Sequence, residues 1–142
     1  MNGKITANFT WQEFERSQIA AGLGLDHSIP NERTRENIKA LVTAVLQPLR
    51  TAHGKPLVIN SGYRCKRLND LLGGSKTSQH MSGQAADIAS NNPIGLARLV
   101  LSLDLDFDQM ILYPTFLHLS HTTQRENRRQ VLYDRSWVGP KL

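Results

Sequence analysis

One carboxylate placed inside an apolar strand constrains this chain more than any other feature. Ala86-Asp87-Ile88-Ala89 reads as a short buried strand, and it follows Ser78-Gln79-His80-Met81-Ser82-Gly83-Gln84-Ala85. A carboxylate entering such a strand is costly unless something pairs with it, and a metal ion does so. His80 precedes Asp87 by seven positions, and Gly83, Ala85 and Ala86 between them let the backbone turn and pass close to an ion. A further imidazole, His118, lies in the alternating run Phe116-Leu117-His118-Leu119-Ser120. Two imidazoles and one carboxylate are what a catalytic zinc needs if its fourth position is to stay open for water, whose pKa then falls toward ~7. The expectation is one zinc per chain on His80, Asp87 and His118, although mixed imidazole and carboxylate ligands also suit other divalent ions.

Strand parity separates the two late histidines. Side chains alternate faces along a strand, so His118 shares a face with Phe116 and Ser120, whereas His121 would share one with Leu117 and Leu119. Both cannot reach one ion from one regular strand, and parity by itself leaves open which of them does. His27 and His53, in Asp26-His27-Ser28 and Ala52-His53-Gly54, are expected on the surface.

The apolar periodicity gives the remaining framework. Thr10-Trp11-Gln12-Glu13 is a capping-box pattern that starts a short helix carrying Phe14 inward, closed by Gly22-Leu23-Gly24. Ile38, Leu41, Val42, Val45, Leu46 and Leu49 form one helical stripe, which Pro48 is expected to kink or end. Strands are expected at 56–60, 107–113, 116–121 and 130–133, a helical turn at 66–72, and a helix from Pro93 to about Leu103. Helices come first and strands cluster late, which is an α+β layout: a small antiparallel sheet with helices packed on it.

A chain of 142 residues fits a single domain, 1–142, able to bury roughly two thirds or more of its apolar surface. No apolar run approaches the ~20 residues of a membrane span. Met1 to Asn8 holds no apolar signal core, so the expectation is synthesis in the cytoplasm and action elsewhere after release or export. Cys65 stands alone and excludes an internal disulfide framework. A net charge of +5 points to an anionic partner, either nucleic acid or the carboxylate- and phosphate-rich bacterial envelope. The basic residues Arg125, Arg128, Arg129, Arg135 and Lys141 cluster late, as a solvated face or a binding surface. No helix-turn-helix, zinc finger or RNA-binding motif accompanies them, so no specific nucleic acid is expected.

Ser61-Gly62-Tyr63-Arg64, the Gly73 to His80 segment, Gly83-Gln84-Ala85-Ala86-Asp87, Phe107-Asp108-Gln109 and Phe116 to Ser120 occur in this order. Together with Phe9-Thr10-Trp11-Gln12-Glu13-Phe14 they resemble the zinc D-Ala-D-Ala carboxypeptidase and peptidoglycan endopeptidase family (peptidase family M-fifteen). That family carries Ser-x-His-x-x-Gly-x-Ala-x-Asp and a late strand histidine; Ser78, His80, Gly83, Ala85 and Asp87 match the motif, and the pattern matches His118 with Ser120 beside it, so His121 is expected at the strand end or on the surface. The resemblance spans roughly the whole chain. It implies a Hedgehog/DD-peptidase-like fold and hydrolysis of D-amino-acid-containing bonds in peptidoglycan stem peptides or cross-links. A single domain without a visible signal core, expected as a monomer, fits a phage or prophage lysis enzyme and equally a bacterial wall enzyme whose export route is not visible. The resemblance also implies that Arg64 binds a substrate carboxylate or the developing oxyanion, with Ser78 and Gln79 contacting the peptide. The chain departs from the family where a glutamate or histidine base precedes the late zinc histidine, for Tyr113-Pro114-Thr115-Phe116-Leu117 offers neither. Three readings stay open: Asp108 serves as base, Tyr113 donates to the oxyanion, or turnover is slow. The alternative from another class is a non-catalytic, metal-containing wall-binding module.

Overall fold

The computed structural model describes residues 3–142; Met1 and Asn2, the first residues of the segment read for a signal core, lie outside the described residues. The chain opens with a hairpin the sequence reading did not anticipate, β1 (Lys4–Thr6) on β2 (Phe9–Thr10). Thr10 then caps α1 (Trp11–Glu15), with both halves of the capping box formed, and Trp11 and Phe14 are buried. A second short helix, α2 (Gln18–Gly22), follows where one longer helix was expected, because Ser17 supplies a new cap to Ala20 N.

The apolar stripe forms the longest helical stretch. Asn31 caps α3 (Glu32–Leu41), a π-helical turn follows at Val42–Leu46, and α4 (Gln47–His53) ends at Gly54, whose φ of 74° suits glycine. Ile38, Leu41, Val42, Val45, Leu46 and Leu49 are all fully buried, each such side chain contributing about 1.5–3 kcal/mol. Pro48 does not end the helix. The π turn lies just ahead of it, where Gln47 N bonds Val42 O, five residues back; this widened turn accommodates a ring that otherwise collides with the preceding one.

The remaining strands are β3 (Ile59–Ser61), β4 (Ala85–Ala89), β5 (Gln109–Leu112), β6 (Phe116–Ser120) and β7 (Gln130–Tyr133), with α5 (Lys66–Leu71) after β3 and α6 (Pro93–Ser102) after β4. They make one sheet in the order β3-β4-β6-β5-β7. The layout is α+β as expected, but the sheet is not wholly antiparallel: β7 runs parallel to β5. The loop after β6 returns past the start of β5, where Arg129 N bonds Phe107 O and Gln130 N bonds Asp108 O, and so lays β7 on the far side. Alternation along the strands sorts the two faces. Ala86, Ile88, Met110, Leu112, Leu117 and Leu119 enter the common core with the helices; Asp87, Gln109, Ile111, Phe116 and His118 line a cleft on the other face. No helix among the described residues is long and apolar enough to cross a membrane.

Gly83 fixes the turn that feeds β4. Its φ is 75°, and a Cβ there would lie 2.8 Å from Ile38 Cγ1 and 2.9 Å from the Thr34 carbonyl oxygen. Gly83→Ala is therefore expected to cost about 2–4 kcal/mol, combining left-handed strain with overpacking. Urea denaturation checks this, and a loss within 0.5 kcal/mol, roughly the surface-substitution range, would contradict it.

Candidate metal centre

Three elements bring the ligand atoms together. His80 lies in the 3₁₀ turn Gln79–Ser82, Asp87 at the centre of β4 and His118 at the centre of β6. The β4–β6 register sets Asp87 directly opposite His118, and the row continues to Ser61 on β3 and Ile111 on β5. Directly opposed residues bring their Cβ atoms within about 5.5 Å, so the parity argument and the register place the same two side chains face to face.

His80 is buried, and its Nδ1 lies 2.7 Å from the Gly62 carbonyl oxygen. A carbonyl only accepts, so Nδ1 carries the proton and, in a neutral ring, Nε2 presents a lone pair. That Nε2 lies 3.3 Å from Asp87 Oδ1, and His118 Nδ1 lies 2.8 Å from the same oxygen. One ligand atom from each of the three residues falls within 4.8 Å of the others. Two ligands held about 2.0–2.1 Å from a tetrahedral ion sit about 3.3 Å apart, which is the His80–Asp87 spacing. Two imidazole nitrogens and a buried carboxylate oxygen converging at this spacing form a ligand set that suits a divalent cation. Burial pushes the Asp87 carboxyl up, but the His118 and His80 rings outweigh it and hold the group well below the usual carboxylate range.

Arg64 completes the support of Asp87. Its Nη2 donates to Asp87 Oδ2 at 3.3 Å, Nε to Ser61 Oγ at 3.0 Å and Nη1 to Asn69 Oδ1 at 3.4 Å. One carboxylate oxygen thus faces the imidazoles and the other the guanidinium. The cleft around the triad, of about 690 Å³, is lined by Arg64, Ser78, Gln79, Tyr113, Arg125 and Arg128 among others, so four of the other expected site residues line it together with His80, Asp87 and His118. Tyr113 stacks on Phe116 with ring centroids 4.1 Å apart. Burial pushes its phenol pKa up, helped by the negative charge of Asp134 and Asp87, so it keeps its proton at neutral pH.

Asp108 is placed differently from the expectation. It does not line the cleft and its side chain is fully shielded from solvent. Arg125 forks onto it at 2.7 and 2.9 Å, Arg128 Nε and Nη2 reach it at 3.0 and 2.8 Å, and Gln79 Nε2 donates at 3.0 Å. Burial pushes the Asp108 carboxyl up, but Arg125 and Arg128 outweigh that and hold it far below the ordinary carboxylate range. Its lone pairs are committed and its proton affinity lowered, the opposite of what a general base requires. The arginines were visible in the sequence only as part of a basic run; the signal that ties them to the site is Asp108, the last of three alternating acids and the one next to the strand segment 109–112, because a buried carboxylate demands partners.

The other histidines also differ from the sequence reading. His121 is at the strand end as expected but buried, with Nδ1 2.7 Å from the Asp106 carbonyl oxygen. His27 is not a surface residue: its ring is half-buried, stacks on Tyr63, and Nε2 accepts from Cys65 N while Nδ1 bonds the Glu15 carbonyl. Both serve loop closure, where backbone groups need partners. His53 is exposed.

Residues 7–120 match the family model described as Peptidase M15. The zinc D-Ala-D-Ala carboxypeptidase of Streptomyces albus G is 37% identical over 87 residues, which cover 60% of this chain and 32% of that relative. The aligned region thus spans about a third of the relative's own length. With most of its length matched by the family model, this chain belongs to the peptidase M15 family.

His118→Ala is expected to abolish stoichiometric zinc binding, whereas His121→Ala retains it; metal analysis after dialysis checks the pair, and equal loss from both would overturn the ligand choice. Asp108→Asn is expected to lower stability at pH 7 by about 2–3 kcal/mol, the half-exposed arginines keeping the cost near the low end for a buried pair. Because the folded-state pKa of Asp108 is depressed, its contribution is present above the unfolded value near 3.9 and lost as pH falls below it. Stability measured between pH 7 and pH 3 should therefore fall less steeply in Asp108→Asn than in the parent, and identical acid limbs would contradict the ion pair.

Proposed function

We propose that this chain is a zinc-dependent metallopeptidase that hydrolyses peptidoglycan stem peptides or cross-links at bonds involving D-amino acids. The observation that carries the reading is the His80–Asp87–His118 cluster in a cleft that the Arg64 guanidinium also lines. The name of the Streptomyces albus G relative supports zinc and a D-Ala-D-Ala substrate. His80, Asp87 and His118 would hold one zinc, which when bound supplies Lewis acidity toward a carbonyl and acidifies water.

The protein's own groups divide the remaining work. Arg64 keeps one N–H on each of Nη1 and Nη2 without a partner among the described residues, and a planar, permanently charged fork suits a substrate carboxylate. Ser78 and Gln79 border the peptide path, Gln79 being fixed by Asp108. Tyr113 retains its phenolic proton and lines the cleft, so it is assigned as hydrogen-bond donor to the developing oxyanion. Asp108 is assigned a positioning role, not that of base. No carboxylate other than Asp87 lines the cleft among the described residues, and lack of a separate base costs about 10²–10⁴-fold in rate. The enzyme is therefore read as slow, working at the bacterial wall; a lysis role during phage release is the finer reading.

The absence of a free base also favours the second reading, a metal-containing module that binds the wall without cutting it. Digestion of purified peptidoglycan by the zinc-loaded protein, followed by mass spectrometry, separates the two: new peptide termini that vanish on chelation support the peptidase, and wall binding without new termini supports the module. Tyr113→Phe is expected to reduce kcat by about 10²–10³-fold with zinc retained. Arg64→Lys should likewise keep zinc yet lose most of kcat/KM, and full activity in that variant would remove the guanidinium from substrate recognition.

A further inference from the structure

Arg125 and Arg128 have a place in the cleft that the metal centre leaves unexplained. They lie beyond the residues matched by the family model, in the loop joining β6 to β7, yet both line the same cleft as His80 and His118. Their positions are fixed from beneath. Two guanidiniums brought this close repel each other, and the buried Asp108 carboxylate between them offsets that repulsion while setting both planes through paired hydrogen bonds. The fixing does not exhaust them. Arg125 Nε and Arg128 Nη1 have no partner among the described residues, and both side chains are nearly half exposed, at 46% and 47%.

The sheet order places this pair opposite Arg64. Arg64 follows β3 at one edge; the ligands Asp87 and His118 lie on the central β4 and β6; Asp108 and its arginines stand at the β5–β7 side. Three guanidiniums thus flank the triad from two sides against the two carboxylates Asp87 and Asp108, before a divalent ion adds its own charge. A field of that sign selects anionic ligands.

We propose that Arg125 and Arg128, oriented by Asp108, form a second carboxylate-binding subsite that recognises an acidic residue of the substrate peptide on the side of the cleft away from Arg64. This rests on the peptidase reading of the same cleft. Asp108 lies one strand across from β6, about 4.8 Å, and three residues along the chain from Ile111, which faces His118, so its arginines stand roughly 10 Å from the β6 ligand. An extended peptide advances about 3.4 Å per residue, which sets the recognised carboxylate about two or three residues from the reacting bond. The enzyme accordingly discriminates between a free carboxylate and a carboxamide there.

The probes are the tetrapeptide L-Ala-γ-D-Glu-L-Lys-D-Ala and its D-isoglutamine twin, which differ only in carboxylate against carboxamide. Binding of each to the zinc-loaded protein is measured by calorimetry, and kcat/KM is measured for the corresponding pentapeptides ending in D-Ala-D-Ala. The zinc-loaded protein is expected to bind the acid at least about tenfold more tightly than the amide. Arg125→Gln and Arg128→Gln are each expected to bring that ratio toward one, with Arg128→Lys intermediate because it keeps the charge and loses the fork. Single variants leave Asp108 one arginine, and melting curves confirm the fold. Equal binding of acid and amide by the parent protein, or an unchanged ratio in folded variants, overturns the subsite. Absence of turnover with the binding ratio intact would instead strike the peptidase reading and leave the subsite standing.

Discussion

Asp87 is a carboxylate held out of water and partnered on both oxygens, and the site is organised around that requirement. Oδ1 faces His80 and His118, and Oδ2 faces Arg64. An isolated buried carboxylate costs several kcal/mol, so each neighbour is needed where it stands. The Gly62 carbonyl fixes the His80 ring, Gly83 makes the turn that lets the 3₁₀ segment meet β4, and the β4–β6 register sets His118 opposite. The helical stripe beneath serves the same end, because Ile38 and Thr34 pack directly against that turn.

A second buried carboxylate performs a different task by the same physics. Asp108 collects two arginines and a glutamine, ties the β6–β7 loop to the start of β5, and fixes Gln79 beside His80. The two acids differ in their partners. Asp87 meets imidazoles, which make the group a candidate ligand set; Asp108 meets guanidiniums, which are permanently charged and make it an anchor. Residue type alone does not separate these roles, since both are aspartates in or beside a strand.

That difference marks what the sequence made legible. The clustering of His80, Asp87 and His118 was readable because spacing, small residues and strand alternation are local signals, to which the family motif added the choice of His118; the helical stripe and the β7 segment were local signals too. Asp108 was misplaced because its partners lie 17 and 20 residues away across a loop, beyond any periodicity. His27 escaped for the same reason: its bonds to Glu15 and Cys65 are made by loop closure. The continuation of the helix past Pro48 depended on a π turn that no propensity announces, and the parallel β5–β7 pair on the route of the loop before it.

The central claim is that these two imidazoles and one carboxylate hold the ion. Zinc K-edge X-ray absorption on the protein loaded with one equivalent tests it most directly. The account predicts a first shell of nitrogen and oxygen only, near 2.0–2.1 Å, with the outer-shell scattering of two imidazoles. A sulfur scatterer near 2.3 Å, which would implicate Cys65, or a shell without imidazole scattering, would contradict it.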